Sequence, residues 1–100
     1  MKQIDVMAYN KFNVFHWHIT DDQSFPFESL KYPNLTERGR YSRVHVYKQE
    51  DMRKLVDHAR FRGIRVIPEF DTPGHTDSFG KAFPSTYSFF LSLSLLFFFI

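Results

Sequence analysis

Two segments of this chain begin as apolar strands and end abruptly in carboxylates and a histidine. One is Phe15–Asp22, with the sequence FHWHITDD, and the other is Pro68–His75, with the sequence PEFDTPGH. Each composition is typical of a buried strand that stops at polar residues. In parallel α/β proteins, the carboxyl ends of the strands are where ligands bind and chemistry takes place. Two such strands joined by one helix therefore predict two adjacent strands of a catalytic barrel.

The spacing of apolar residues along the chain predicts alternating helices and strands. The predicted elements are a helix over residues 3–10, a strand from Asn13 to Thr20, a long excursion without regular structure over residues 21–47, a helix from Gln49 to Gly63 and a strand from Ile64 to Asp71. The second helix is the clearest, because an apolar stripe runs along an otherwise charged segment and Gly63 supplies a left-handed end. A parallel pair of strands with a right-handed crossover follows from this order.

Barrels and doubly wound sheets share this order of elements. No Gly-x-Gly-x-x-Gly motif follows either strand, which argues against a dinucleotide-binding fold. We therefore predict an α/β fold, as part of a (β/α)8 TIM barrel with about two strands and their helices. The barrel is incomplete as given, because 100 residues are too few for eight strands and eight helices.

Charge divides the chain at Lys81. Residues 1–81 hold all 24 charged side chains, and residues 82–100 hold none. An uncharged stretch of this length approaches the ~20 residues of a membrane span, which leaves a non-catalytic, membrane-tethered fragment as one alternative. Pro84 and several serines dilute the stretch, however, and translation of a pyrimidine-rich intron also gives Phe, Leu and Ser. We therefore expect the fold to occupy residues 1–81, the tail to lie outside it, and no membrane partner.

Composition argues against several other classes of function. The formal net charge is +2, and the nearest approach to a basic patch, formed by Arg38, Arg40 and Arg43, adjoins Glu37, so we expect no nucleic-acid partner. The chain has no cysteine, which means that no disulfide and no thiolate metal site is predicted. Its first residues lack the apolar segment of a signal peptide.

The strand histidines have two possible interpretations. In a strand, His16 and His18 project from one face, and Trp17, which we expect to be a packing residue, projects from the other. Histidines at this spacing resemble the metal-binding pair of amidohydrolase barrels, so a metal-dependent hydrolase is an alternative function. Interior histidines bonded to polar neighbours are the favoured interpretation, since metal sites usually need three protein ligands. Glu69 and Asp71 are also ambiguous, because they could simply accept hydrogen bonds from loop backbone.

Asp21 and His75 follow the two predicted strands and form the main candidate site. The tight turn over residues 72–74 is expected to direct His75 over the strand ends, where it can form a hydrogen bond with Asp21. An Asp–His pair keeps the imidazole in one tautomer and raises its basicity, so that it can tune a neighbouring acid. Adjacent Asp21 and Asp22 could also be nothing more than turn residues, which is the more common role of Asp-Asp before Ser and Pro.

The two strand segments, taken with their flanks, resemble the β-N-acetylhexosaminidases of glycoside hydrolase family 20. Residues 7–26, which contain HWHITDDQSFP, resemble the second-strand region of that family, and residues 59–76, which contain IPEFDTPGHT, resemble its third strand. The animal lysosomal α and β subunits are the most similar group. The resemblance runs in unbroken order over residues 3–81.

This resemblance implies a retaining glycosidase that removes terminal β-linked N-acetylglucosamine or N-acetylgalactosamine from glycoconjugates. The acetamido oxygen of the substrate is the nucleophile, so the class differs from glycosidases with two catalytic carboxylates. By motif position, Asp21 and His75 form the dyad that supports the general acid, whereas Asp22 has a weaker claim. The resemblance further implies no cofactor, a dimer of related subunits, and a lysosomal or secreted protein.

One part of the family's machinery has no match in this sequence. The adjacent Asp-Glu pair, which orients the acetamide and supplies the general acid, lies on a later strand, and Asp21-Asp22 belongs to a different motif. The arginine and the aromatic residues that hold the sugar are also unmatched. We therefore expect the 100-residue chain to be inactive alone. Asn34-Leu35-Thr36 is an N-glycosylation sequon in the predicted excursion, which agrees with a secretory route.

Overall fold

The computed structural model describes residues 1–85. Its elements are the helix α1 (Lys2–Tyr9), the strand β1 (Val14–His18), the helices α2 (Pro33–Gly39) and α3 (Gln49–Arg60), the strand β2 (Arg65–Glu69) and the short helix α4 (Asp77–Gly80). Within this range no helix is long and apolar enough to cross a membrane. Ala82, at the start of the uncharged tail, is buried. The predictions for the rest of the tail, residues 86–100, lie outside the described residues.

β1 and β2 form a two-stranded parallel sheet, and α3 lies in the connection between them. The register pairs Val14 with Arg65 and His18 with Glu69, so the two strands end level with each other. The prediction of an α/β unit with two parallel strands is confirmed. Because the strands end level, the loops that follow β1 and β2 start from the same edge of the sheet.

One face of this sheet is more exposed than the sequence predicted. Residues of β1 alternate between exposed and half-buried, and Ile67 of β2 is 41% exposed. The exposed face carries His16 and His18, while Phe15 and Val66 pack towards the helices. The prediction of two buried strands is wrong for the histidine face, because the core formed by residues 1–85 lies on the opposite face.

The helices pack against the sheet through a small apolar cluster. Ile4 of α1, Ala59 of α3 and Ile64 are at most 3% exposed and form its centre. Removing this apolar surface from water holds both helices against the strands. α3 ends as predicted, since Gly63 has a φ of 69° and Ile64 N donates a hydrogen bond to Ala59 O at 2.9 Å. This left-handed residue turns the chain into β2.

The excursion between β1 and α3 contains more regular structure than predicted. α2 occupies Pro33–Gly39 within it, and Phe27 pairs with Tyr47 in an isolated parallel bridge. The prediction of no regular structure is wrong for this segment. Proline is well tolerated in the first turn of a helix, where its missing N–H would have no partner, so Pro33 begins α2 instead of breaking it. A helix of seven residues is also too short to show a clear apolar period.

Asp5 joins α1 to the end of α3. Its Oδ1 atom lies 2.8 Å from His58 Nε2 and 2.6 Å from Arg62 Nε. Partial burial raises the pKa of Asp5, but the hydrogen bond with His58 and the charges of Arg62 and His58 outweigh that effect, so its pKa lies below the ordinary value. A carboxylate whose charged form is favoured in the folded state stabilises the fold.

We expect the contribution of Asp5 to stability to depend on pH. Because folding lowers its pKa, the contribution is fully present above the unfolded pKa of about 3.9 and is lost as the pH falls through the lower, folded value. Asp5→Asn should therefore lower the urea midpoint of the chain near neutral pH, and the difference from the original chain should shrink below about pH 4. Asp57→Asn, which removes an exposed carboxylate from α3, is the control. A difference that is equal at both pH values contradicts this account.

Candidate active site

The loop after β1 places Asp21 at the edge of the sheet. Asp21 and Ser24 exchange backbone hydrogen bonds, with Asp21 N donating at 3.0 Å and Ser24 N donating at 3.2 Å, which closes a tight turn. Within the turn, Asp21 Oδ1 accepts the backbone N–H of Asp22 at 2.7 Å. The turn expected of Asp-Asp is therefore present, and it also fixes the orientation of the Asp21 carboxylate.

The loop after β2 brings His75 to the same place. Its Nδ1 atom lies 2.8 Å from Asp21 Oδ1, so the two predicted site residues share a hydrogen bond across the two strand ends. His75 has a φ of 59°, a left-handed conformation that a non-glycine residue keeps when its surroundings hold it there. Thr76 Oγ1 supports the turn by donating to Pro73 O at 2.7 Å.

Two further hydrogen bonds join the loops. Ser78 is fully buried, and its hydroxyl donates to Asp21 O at 2.7 Å. Asp77 N donates to Asp22 Oδ1 at 3.2 Å. Breaking the first bond would leave a buried polar group unpaired, which makes the bond a strong constraint on the position of Asp21. Asp22 has an anchoring role in this arrangement, whereas Asp21 faces the imidazole.

Hydrogen bonding sets the charges of the pair. The backbone N–H of Asp22, followed by the His75 side chain, holds the pKa of Asp21 below its usual value. The hydrogen bond with Asp21 raises the pKa of His75, and the negative charges of Asp21, Asp71 and Asp22 act in the same direction. Because an ionised carboxylate can only accept, His75 Nδ1 carries the proton of the shared bond. The imidazole is thus more basic than a free histidine and is held in one tautomer.

Glu69 joins the two histidines of β1. Its Oε2 atom lies 2.7 Å from His16 Nε2 and 3.3 Å from His18 Nδ1. The hydrogen bond with His18, followed by that with His16, lowers the pKa of Glu69. The prediction that both histidines project from one face is confirmed. The ring of Trp17, as expected, packs elsewhere, edge-on against Tyr47 with 4.8 Å between ring centroids.

Sequence reasoning missed this role of Glu69. A hydrogen bond to loop backbone was the alternative that it considered, whereas the carboxylate accepts from two side chains. The signal that could have found the contact is the register, since level parallel strands place Glu69 opposite His18.

His18 also approaches the Asp21–His75 pair. Its Nε2 atom lies 3.7 Å from Asp21 Oδ2, and its ring meets the His75 ring edge-on at a centroid separation of 5.2 Å. In the part of the chain that the structure describes, the groups able to hold a metal ion are His18 with Asp21 and His75, and His18 with Glu69 and Asp71. His16 is in neither group. The alternative ligand pair His16 and His18 instead faces one carboxylate, that of Glu69.

A cleft of about 450 Å³ opens beside Asp21, bordered by the excursion. Its lining includes Thr20, Ser24, Tyr41, His45 and Tyr47. The hydroxyls of Thr20 and Ser24 are buried and have no hydrogen-bond partner among residues 1–85. The groups that the cleft presents beside Asp21 are therefore mainly the aromatic rings of Tyr41, His45 and Tyr47.

The family model for the catalytic domain of glycosyl hydrolase family 20 matches residues 1–92 of this chain. The chain belongs to glycosyl hydrolase family 20. The resemblance that the sequence motifs indicated is therefore confirmed.

Curated relatives of this family 20 chain include beta-hexosaminidase subunits. The chain is 62% identical over 81 residues to beta-hexosaminidase subunit beta of Mus musculus and 60% identical over 81 residues to that of Homo sapiens. It is 57% identical over 82 residues to beta-hexosaminidase subunit alpha of Bos taurus. These matches cover 81% of the chain and 15% or 16% of each relative, so the chain spans a small part of the length of the relatives that it matches.

Solved structures of family 20 enzymes are similar in fold. A chitobiase of Flavobacterium johnsoniae aligns with a TM-score of 0.77 and 41% identity, over 83% of this chain and 12% of that one. A beta-N-acetylhexosaminidase from Bacteroides fragilis aligns with a TM-score of 0.76 and 36% identity, over 84% of this chain and 18% of that one. The arrangement of two parallel strands and their helices thus recurs in larger enzymes of the family.

Proposed function

We propose that this chain is part of the catalytic (β/α)8 barrel of a β-N-acetylhexosaminidase. The proposed reaction removes terminal N-acetylglucosamine or N-acetylgalactosamine from glycoconjugates with retention of configuration, and the acetamido oxygen of the substrate is the nucleophile. Identity with hexosaminidase subunits supports the activity. The barrel is supported by two level, parallel strands whose following loops carry the polar residues, since barrel enzymes act at the carboxyl ends of their strands.

The hydrogen bond between Asp21 and His75 is the observation that carries this proposal. With Nδ1 engaged by Asp21, Nε2 is the nitrogen directed to another partner. Asp71 Oδ2 lies 3.7 Å from Nε2, which is beyond hydrogen-bond length. His75 Nε2 can therefore bond to the carboxyl group of a general acid, which we assign to the glutamate of an Asp-Glu pair on a later strand of the complete barrel.

A dyad in this position favours proton transfer from the acid. Asp21 raises the pKa of His75, so the imidazole stays protonated to higher pH than a free histidine. A protonated imidazole stabilises the carboxylate that forms when the acid gives its proton to the leaving oxygen. Asp21 and His75 thus act by positioning and charge. Because the nucleophile belongs to the substrate, the proposal requires no cofactor.

The proposal extends to the setting of the complete protein. Relatives include α and β subunits, which supports a dimer of related subunits. A lysosomal or secreted location agrees with the sequon, because Asn34 is exposed in the first turn of α2. Its Thr36 hydroxyl donates to Phe27 O at 2.7 Å in the folded state, so glycan addition would precede folding of this segment. We propose that the catalytic segment ends near Lys81 and that the uncharged tail lies outside it.

A chimera tests the proposed function. The 81 matching residues of this chain replace their counterparts in beta-hexosaminidase subunit beta of Mus musculus. We expect the chimera to hydrolyse an aryl N-acetylglucosaminide with a kcat within about tenfold of the mouse protein, a barrier change of about 1.4 kcal/mol or less. We expect no hydrolysis by the 100-residue chain alone, because the Asp-Glu pair has no match in it.

The human subunit provides the matched control. Its corresponding segment, placed at the same junctions, shows whether the mouse protein tolerates the exchange. If that control is active and the present chimera folds but gives no turnover, the proposed function is wrong. Hydrolysis by the chain alone would contradict the assignment of the general acid to a later strand.

A further inference from the structure

We propose that His18, Asp21 and His75 form a zinc-binding site that competes with the Asp21–His75 hydrogen bond. Each residue offers one ligand atom, and the three atoms lie within 4.8 Å of one another. Two imidazoles and one carboxylate make up a donor set that zinc prefers, and three protein ligands leave a fourth position for water. The zinc would be inhibitory, because it takes the atoms that form the Asp21–His75 hydrogen bond and the proposed reaction uses no metal. The inhibition rests on the proposed function, whereas the binding site does not.

The distances need little adjustment to hold the ion. His18 Nε2 lies 3.7 Å from Asp21 Oδ2, and His75 Nδ1 lies 2.8 Å from Asp21 Oδ1. Zinc bonds of about 2.0–2.1 Å in a tetrahedron separate two ligand atoms by about 3.4 Å. These two pairs are thus within about 0.6 Å of the required separation, and the third pair, His18 with His75, has ligand atoms within 4.8 Å of each other, which side-chain rotation would shorten. The three side chains are 35% to 49% exposed, so an ion can reach them.

One of the two imidazoles, that of His18, already has the outer partner that zinc-binding histidines commonly have. The opposite nitrogen of His18, Nδ1, lies 3.3 Å from Glu69 Oε2. The opposite nitrogen of His75, Nε2, lies 3.7 Å from Asp71 Oδ2, beyond hydrogen-bond length, so Asp71 would have to move closer to take the same role. Carboxylates in this position orient a ligating ring and increase its basicity. This independent feature distinguishes the cluster from a chance meeting of polar side chains.

Zinc and the dyad cannot use the same atoms at once. In the dyad, His75 Nδ1 carries a proton that it donates to Asp21 Oδ1. A metal ion needs the lone pair of that nitrogen and displaces the proton to solvent. The zinc-bound form therefore lacks the hydrogen bond that the proposed function depends on. In an active enzyme with this segment, zinc should lower turnover, and a chelator should restore it.

Zinc titration of the untagged 100-residue chain by calorimetry tests the site. We expect one zinc ion to bind per chain, and His18→Gln or His75→Gln to weaken binding at least about tenfold, as loss of a ligand should. His45→Gln is the matched control, because His45 is an exposed histidine of the excursion that is bonded to Ser42. Its affinity should match that of the original chain. No binding at millimolar zinc, or binding that His75→Gln does not weaken, overturns the proposal; weakening by His18→Gln alone would place the ion with Glu69 and Asp71.

A second readout uses the unaltered chain, so that it does not depend on the folding of any variant. On zinc addition, the ring-nitrogen resonances of His18 and His75 should shift, while those of His45 and His58 stay in place; the reverse pattern rejects the site.

The chimera separates the two proposals. A chain that binds zinc although the folded chimera is inactive retains the site and rejects the function. An active chimera that zinc does not inhibit, with a chain that does not bind zinc, rejects the site and retains the function.

Discussion

Asp21→Asn in the chimera is expected to lower kcat by about 10²–10⁴-fold, the usual contribution of positioned acid–base machinery. Asparagine keeps the shape of the side chain and an oxygen that accepts from Asp22 N, but it removes the negative charge that raises the pKa of His75. The imidazole is then less often protonated when the acid has to release its proton. Because the dyad does not itself hold the sugar, KM should change by less than about threefold. Steady-state kinetics on an aryl N-acetylglucosaminide measure both quantities.

His75→Ala should lower kcat by a similar factor. The kcat of the double variant should be about equal to that of the less active single variant. Residues that act as one unit behave in this way, since removal of either member abolishes the function of the other. Asp57→Asn, at an exposed position of α3 outside the cleft, is expected to leave kcat unchanged. Turnover at the original rate in either dyad variant would show that Asp21 and His75 do not support the general acid. An effect mainly on KM would indicate that the pair contributes to substrate binding instead of proton transfer.

The topology around this pair could be predicted because local signals agreed with one another. An apolar stripe with a left-handed glycine at its end predicted α3, and two short apolar segments that one helix connects usually become parallel neighbours. Parallel neighbours end at the same edge of a sheet, so Asp21 and His75 were expected to meet there. Their distance of 2.8 Å agrees with that expectation, although their catalytic role stays a prediction.

The remaining features depend on contacts between segments that are distant in sequence. α2 has seven residues, too few for a periodic pattern, and it begins with a proline, which is tolerated in the first turn of a helix. Glu69 meets His16 and His18 across the sheet, a contact that depends on the register and not on the residue type. The exposure of the histidine face depends on which elements cover it, which no property of the strand itself determines.

Gly39, at the end of α2, packs closely against Phe25 and against Ser78 of α4. A Cβ atom added there would lie 2.6 Å from Phe25 Cβ and 3.3 Å from Ser78 O. Phe25 is 3% exposed, and its backbone N–H donates to Gly39 O at 2.8 Å. Neither atom can move away easily, because Phe25 Cβ is attached directly to the main chain of a buried residue and Ser78 O is itself a main-chain atom. Gly39→Ala should therefore lower the free energy of unfolding by about 1–3 kcal/mol, the usual cost of overpacking.

Gly74→Ala is the matched control for this prediction, because no atom lies within 4 Å of its added Cβ and the glycine is exposed. Its free energy of unfolding should change by less than about 1 kcal/mol in either direction. Urea unfolding measures both variants, and hydrogen exchange at Phe25 N reports the local change, since that amide bonds to Gly39 O. Faster exchange in Gly39→Ala alone shows that the clash opens the contact between α2 and the loop after β1. Equal stability in the two variants contradicts the close packing. Because Ser78 also holds Asp21 O, the same clash should loosen the dyad and lower kcat when it is placed in the chimera.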